Sequence, residues 1–367
     1  MTSHWFKTYL LPGLIFQSVV IAGGYATGRE LVEFFLSKGP LTGLAGMAVS
    51  TLVWGGVLSI SFEFARMTKS YNYREFFQHL LGPAWFLFEI AYMFMLLLVL
   101  AIIGSAAGDM IQYTFGIPAL LGTLFLMGAV GILTFYGTDL VERFMSGWSF
   151  LVYGTYVMFL IWGISVFGKE ISEQFRQSSL EQGWFSSGVE YAGYNLAIIP
   201  AILFCLTHIQ TRREALISGA LAALLAIVPG ILFYCVMVGM YPEIVEVSVP
   251  VNAILSTFDA RWFEIGFQIV VFGTFIETGT GLLHALNERI AYSVENKGKS
   301  MPNFARPAIA VSTLVFAIFV GDTIGLVALI ARGYGLLTWA FIAIFVIPAL
   351  TIGVWKIFGT KGMSTEC

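Results

Sequence analysis

Gly23-Gly24-Tyr25-Ala26-Thr27-Gly28-Arg29-Glu30 interrupts the first long apolar stretch of the chain near its middle, and Glu33 follows one helical turn later. An unpaired backbone N–H or C=O in hydrocarbon costs several kcal/mol. A broken helix at membrane depth is therefore tolerated only where protein covers it or water reaches it. Discontinuous membrane helices point to the solute site of secondary carriers. The stretch predicts a membrane helix unwound at mid-depth around a small-solute site.

The remainder of the sequence supplies the membrane. Of 367 residues, 58% are hydrophobic and only 11% charged, with a mean hydropathy of +0.84. Soluble chains carry about 25% charged residues. The apolar runs reach helix length and lack the alternating pattern of outer-membrane barrels. The fold class is thus an all-α polytopic membrane protein, with the lipid bilayer as its first partner. A net charge of -3 and the lack of a basic stripe argue against nucleic acid. Three cysteines without CxxC or Cys/His spacing predict neither a metal site nor a disulfide framework. No metalloprotease, serine-hydrolase or nucleotide motif occurs, so no enzyme activity and no cofactor are expected.

Ten spans follow from apolar runs between polar or Pro/Gly punctuation: residues 9–37 (broken), 41–67, 84–113, 119–136, 139–167, 188–209 (broken), 215–240, 262–292, 304–320 and 323–358. Residues 241–261 form a long loop with a short surface helix over 251–258. The first segment is expected to be retained as a helix rather than cleaved. With the amino terminus placed in the cytoplasm, thirteen of the 19 Lys and Arg residues fall at cytoplasmic ends and four at external ends. This bias predicts an inner-membrane protein with both termini cytoplasmic. Phe135-Tyr136-Gly137-Thr138-Asp139 opens the fifth span, and Phe319-Val320-Gly321-Asp322-Thr323 opens the tenth. The broken first span corresponds to the sixth, which Gly193-Tyr194-Asn195 and Pro200 interrupt. Five spans per repeat is an odd number, so the halves must be inverted. The expected organisation is a first repeat over 1–168, an external loop over 169–187, a second repeat over 188–358 and a tail over 359–367.

The first-span motif, together with Gly273-Thr274-Phe275-Ile276-Glu277-Thr278-Gly279 on the eighth span, resembles the YkvI-type amino-acid permeases. These are a branch of the amino acid–polyamine–organocation superfamily with the LeuT-like fold. The resemblance covers essentially the whole chain. It implies an inverted five-helix repeat, alternating access, and a substrate held between spans one, three, six and eight.

The residues themselves suggest roles. Breaking span one frees N–H groups near Thr27 to Glu30, which suit a carboxylate, and carbonyls near Ala22 and Gly23, which suit a cation or ammonium. Gly23, Gly24, Tyr25, Ala26, Thr27, Gly28, Ser105, Tyr194 and Asn195 are the candidate substrate ligands. A site with donors on one side and acceptors on the other fits a zwitterion. Glycines that merely permit close helix packing are the plainer alternative. Glu277, with Thr278, Thr280 and Ala22, is the candidate ion-coupling group. It either joins a hydroxyl in holding Na⁺, carries a proton, or stays neutral in a structural hydrogen bond. Arg29 and Arg332, the two basic residues inside spans, each call for an acidic partner among Glu30, Glu33, Glu190 and Asp322. Such pairs would close an external gate, bind a substrate carboxylate, or hold the outer helix half in place.

The expected function is a secondary active transporter of a small amino-acid-like solute, coupled to Na⁺ or H⁺, as a monomer or homodimer. A ligand-sensing receptor on the same scaffold is the alternative.

Overall fold

The computed structural model describes residues 4–23, 25–136, 138–295, 302 and 304–359. Among them all regular structure is helical. Span one consists of the helices Leu11–Gly23 and Arg29–Phe34, separated by a 3-10 turn at Tyr25–Thr27. Spans two to five are Pro40–Thr68, Trp85–Phe115, Ala119–Tyr136 and Thr138–Gln177. Span six runs as α-helix over Trp184–Asn195, then as 3-10 helix over Leu196–Ala201 and Leu203–His208. Spans seven, eight and nine are Arg212–Val238, Arg261–Glu295 and Ala305–Ile324. Span ten runs from Leu326–Ala328 to Val354–Gly359 through π-helical turns. Seven of the helices are long and apolar enough to cross a membrane, and the two shorter apolar ones belong to spans one and four. Broken span six completes ten.

Local sequence explains several helix ends. Pro40 sits in the first turn of span two behind Gly39, whose φ is 100°. Thr211 and Glu214 form a reciprocal capping box at the start of span seven. Asn72 accepts from the Glu75 amide to start a short helix, Tyr73–Leu81, that buries Phe76, Phe77 and Leu80.

The packing obeys the exchange of one repeat for the other. Swapping span one for six, two for seven, three for eight, four for nine and five for ten maps the contact of spans one and seven onto that of six and two. It likewise maps three against nine onto eight against four, and five against seven onto ten against two. Spans two and seven approach so closely that a Cβ on Gly219 would lie 2.3 Å from the Ser59 backbone nitrogen. Small residues are how membrane helices gain dispersion contact where no hydrophobic drive separates them from lipid.

Three boundaries differ from expectation. Span ten starts after Gly325, at φ 80°, so Phe319 to Thr323 closes span nine and does not open span ten. Thr323 bonds the Phe319 carbonyl at 2.7 Å and keeps that last turn helical. The matching motif at 135–139 does border span five, although Gly137 lies outside the described residues. The external loop expected at 169–187 shrinks to residues 178–183, because helix continues to Gln177 and restarts at Trp184 behind Gly183. The helix expected on the surface at 251–258 is Pro250–Ser256, and it buries Pro250, Val251, Asn252, Ile254 and Leu255.

Candidate functional site

Span one unwinds because no side-chain-bearing residue adopts easily what Gly28 adopts, φ 83° at the cap of the outer half-helix. A Cβ there would meet Met237 Sδ at 3.0 Å and Pro250 Cβ at 3.1 Å. Thr27 Oγ1 accepts from the Arg29 amide at 3.3 Å, and Ala26 and Thr27 are buried. Gly24 lies outside the described residues, as do the side chains of Ala22 and Tyr25, while the backbone of Gly23 ends the inner half-helix. The outer half spans only Arg29–Phe34, so its own dipole is small.

Tyr194 of span six comes to this break. Its hydroxyl donates to a carboxylate oxygen of Glu30, and both residues are buried. Its ring stacks on Tyr334 of span ten, centroids 4.2 Å apart, and on Phe34 at 5.4 Å. The Tyr334 hydroxyl also lies within hydrogen-bonding reach of the Glu30 carboxyl. Asn195, one residue on, turns its side-chain amide to the Tyr191 carbonyl of its own helix at 2.9 Å. The two repeat-related breaks are thus tied by one side-chain bond.

A second polar layer lies between spans one, five and eight. The Tyr153 hydroxyl donates to Gln17 Oε1 at 2.7 Å, and Glu277 is close enough to act on Tyr153 electrostatically. Glu277 is 8% exposed and has no hydrogen-bond partner among the described residues. Thr274 and Thr280 spend their hydroxyl protons on Val270 and Ile276 of the same helix, which leaves their lone pairs as acceptors. Thr278 is half-buried one residue beyond Glu277.

Arg29 turns away from both layers. Its guanidinium donates to the carbonyls of Val245 and Val247 at 2.8 and 3.1 Å and to Glu33 at 2.8 Å. It therefore fastens the outer half of span one to the loop between spans seven and eight. The other expected pairings are not formed among the described residues. Arg332, in a π-helical turn of span ten, is exposed and makes no ion pair among the described residues. Glu190 is half-buried, and its backbone carbonyl accepts from Thr338 at 3.2 Å. Ser105 packs against Gly321 of span nine, away from the break of span one.

Several residues escaped the sequence reading as ligands. Glu30 was weighed only as a partner for arginine, yet Tyr194 reaches it from span six. Gln17 and Tyr153 carry no motif. Asn252, fully buried, leaves both side-chain amide atoms without a partner. Its short helix packs on the Tyr25–Thr27 turn and on spans three and eight. The Pro242 and Pro250 punctuation marked that segment as loop, and nothing local indicated that it turns inward.

No protein-family model matches the sequence. The uncharacterised membrane protein YkvI of Bacillus subtilis strain 168 is 25% identical over 297 residues, covering 78% of this chain and 82% of that protein. The crystal structure of MhsT in complex with L-phenylalanine superposes with a TM-score of 0.60 at 13% identity, covering 96% of this chain and 98% of MhsT. At that identity the likeness speaks for architecture. The chain is a multi-pass helical membrane protein with the LeuT-like fold, similar in sequence to YkvI.

Proposed function

We propose that the protein is a secondary active transporter, carrying a small zwitterionic, amino-acid-like solute across the cytoplasmic membrane by alternating access, coupled to Na⁺ or H⁺. The observation that carries this reading is the pair of repeat-related helices, both unwound, with Tyr194 of one bonded to Glu30 of the other. Unwound backbone at membrane depth offers bare N–H and C=O groups that a charged solute can satisfy. The LeuT-like architecture, in which MhsT has been crystallised with an amino acid, supports the same solute class.

In this mechanism residues 22–28, Tyr194 and Asn195 surround the solute, while Glu277, Thr278 and Thr280 serve the coupling ion beside Ala22. Arg29, itself paired to Glu33, shuts the outer end by donating to the loop carbonyls of Val245 and Val247. Both termini then face the cytoplasm, in keeping with the lysine and arginine bias. The test is uptake of the radiolabelled proteinogenic L-amino acids into proteoliposomes under imposed Na⁺ and H⁺ gradients. Saturable, gradient-driven accumulation of at least one supports the transporter. Saturable binding with no flux under either gradient would instead support a receptor.

A further inference from the structure

Glu30 takes part in the bond that joins the two breaks, yet the transport reading gives its carboxyl no chemistry, and its setting is unusual. Its residue exposure is 0%, and one carboxyl oxygen, Oε1, has no hydrogen-bond partner among the described residues. The other oxygen is met by the Tyr194 hydroxyl. Three elements meet on this carboxyl: the outer half of span one, the end of the α-helical part of span six, and the first turns of span ten.

The charges around it do not neutralise it. On its own helix and the turn beyond, Arg29 is committed to Glu33 and the loop carbonyls, and Lys38 is exposed. Span six presents Tyr191, Tyr194 and half-buried Glu190. Span ten presents Tyr334 and exposed Arg332. The loop turn packed on the same helix presents Glu243 and Glu246, both exposed. Glu30 makes no ion pair among the described residues. An ionised carboxylate withdrawn from water without a cation costs several kcal/mol, and such groups take up a proton instead. Tyrosine hydroxyls can donate to either form, so the cluster tolerates the acid without demanding a counter-ion.

We propose that Glu30 is the proton-binding site of the transport cycle. Its carboxyl holds a proton on Oε1 while the outer half of span one lies against Tyr194 and Tyr334. It releases that proton to water when these helices part. The step is a simple transfer: an O–H bond forms at Oε1 with a proton from one aqueous phase and breaks to the other. This rests on the transporter reading and deepens it by naming H⁺ as the coupling ion and Glu30, in place of Glu277, as its carrier.

Two measurements on the full-length protein test it. Infrared spectroscopy in lipid nanodiscs, with H₂O/D₂O exchange, detects the carbonyl stretch of a protonated carboxylic acid without any solute. The expected result is a titrating band that is lost in Glu30→Gln and retained in Glu277→Gln. In Tyr194→Phe, which keeps the acid but removes its donor, the band should remain with a displaced midpoint. A band unchanged in Glu30→Gln overturns the assignment. In proteoliposomes, a pH gradient of about one unit supports about tenfold accumulation at one-for-one coupling. Wild type should reach it with whichever radiolabelled L-amino acid it carries. Glu30→Gln should only equilibrate that amino acid while retaining exchange. Accumulation by Glu30→Gln equal to wild type, or accumulation by wild type driven by Na⁺ alone, overturns the coupling role. Absence of flux for every amino acid in wild type sinks the transporter reading instead, and the infrared result still decides whether Glu30 binds a proton.

Discussion

The breaks in spans one and six occupy equivalent places in the two repeats, yet they are made from opposite chemistry. Span one stops within a few residues and turns through a left-handed glycine, Gly28 at φ 83°. Span six has no left-handed residue. It loosens from Leu196 to His208 into 3-10 helix, with Pro200 inside and Ile202 at φ -107° between the two pieces. Amides there bond three residues back, as in Ile202 to Ile199 at 2.9 Å and Cys205 to Ile202 at 3.1 Å. A 3-10 segment rises about 2.0 Å per residue against 1.5 Å for α-helix, and long runs of it mark hinges or strain. One break is therefore sharp and turns at a left-handed glycine. The other is spread over many residues.

The largest effect that would expose this difference belongs to Gly28→Ala. A left-handed conformation costs a side-chain-bearing residue about 1–2 kcal/mol. The added methyl would also crowd Met237 Sδ, Pro250 Cβ and the Phe233 ring, all within 3.3 Å. Overpacking of that kind adds about 1–3 kcal/mol. Thermal unfolding in detergent should show a clear fall in Tm, and an unchanged Tm would remove the claim that span one turns on this residue.

Next in size is Arg29→Ala. It deletes two donors to loop carbonyls and one to Glu33. Charge-assisted bonds of this type contribute about 1.5–3 kcal/mol each when buried. Glu33 is 30% exposed on its side chain, so the ion pair itself is discounted. We expect a total loss of about 3 kcal/mol from the two carbonyl bonds, read most directly as faster amide hydrogen exchange in residues 243–247. Arg29→Lys keeps the charge but not the fork, and should fall between the two. Equal exchange in wild type and Arg29→Ala would show that the loop is held by its own packing.

The contrast also explains what was legible in advance. A left-handed glycine leaves a mark in sequence, and the cluster at 23–28 followed by Arg29, Glu30 and Glu33 located the first break. The second was placed through Gly193-Tyr194-Asn195 and Pro200, but these sit where the α-helix ends and not at its centre. Its actual extent, Leu196 to His208, consists largely of apolar residues that would suit ordinary helix. The 3-10 pieces pack on spans one and two, and single-residue propensity carries no trace of that. Glu30 against Tyr194 and Glu277 against Tyr153 are likewise products of topology, each joining residues more than a hundred positions apart. Arg332 illustrates the opposite case. Placed in a span by its flanks, it called for a partner, yet on span ten it is exposed.

Pro200→Ala should have the smallest effect of the three. In an α-helix interior proline costs about 3 kcal/mol, because it removes a donor and its ring clashes with the carbonyl four residues back. In the 3-10 segment Leu196–Ala201 the donor it lacks would have served the Ala197 carbonyl, and Pro200 is only half-buried. Alanine restores that donor with little change in buried apolar surface. The expected change in stability is within about 0.5 kcal/mol, as for most substitutions away from a strained or tightly packed feature. The neighbouring Ile202 kink and the three-residue bonding pattern should survive it. A fall in Tm as deep as that of Gly28→Ala would mean that span six, too, depends on one residue, and the distinction between a sharp break and a distributed one would be lost.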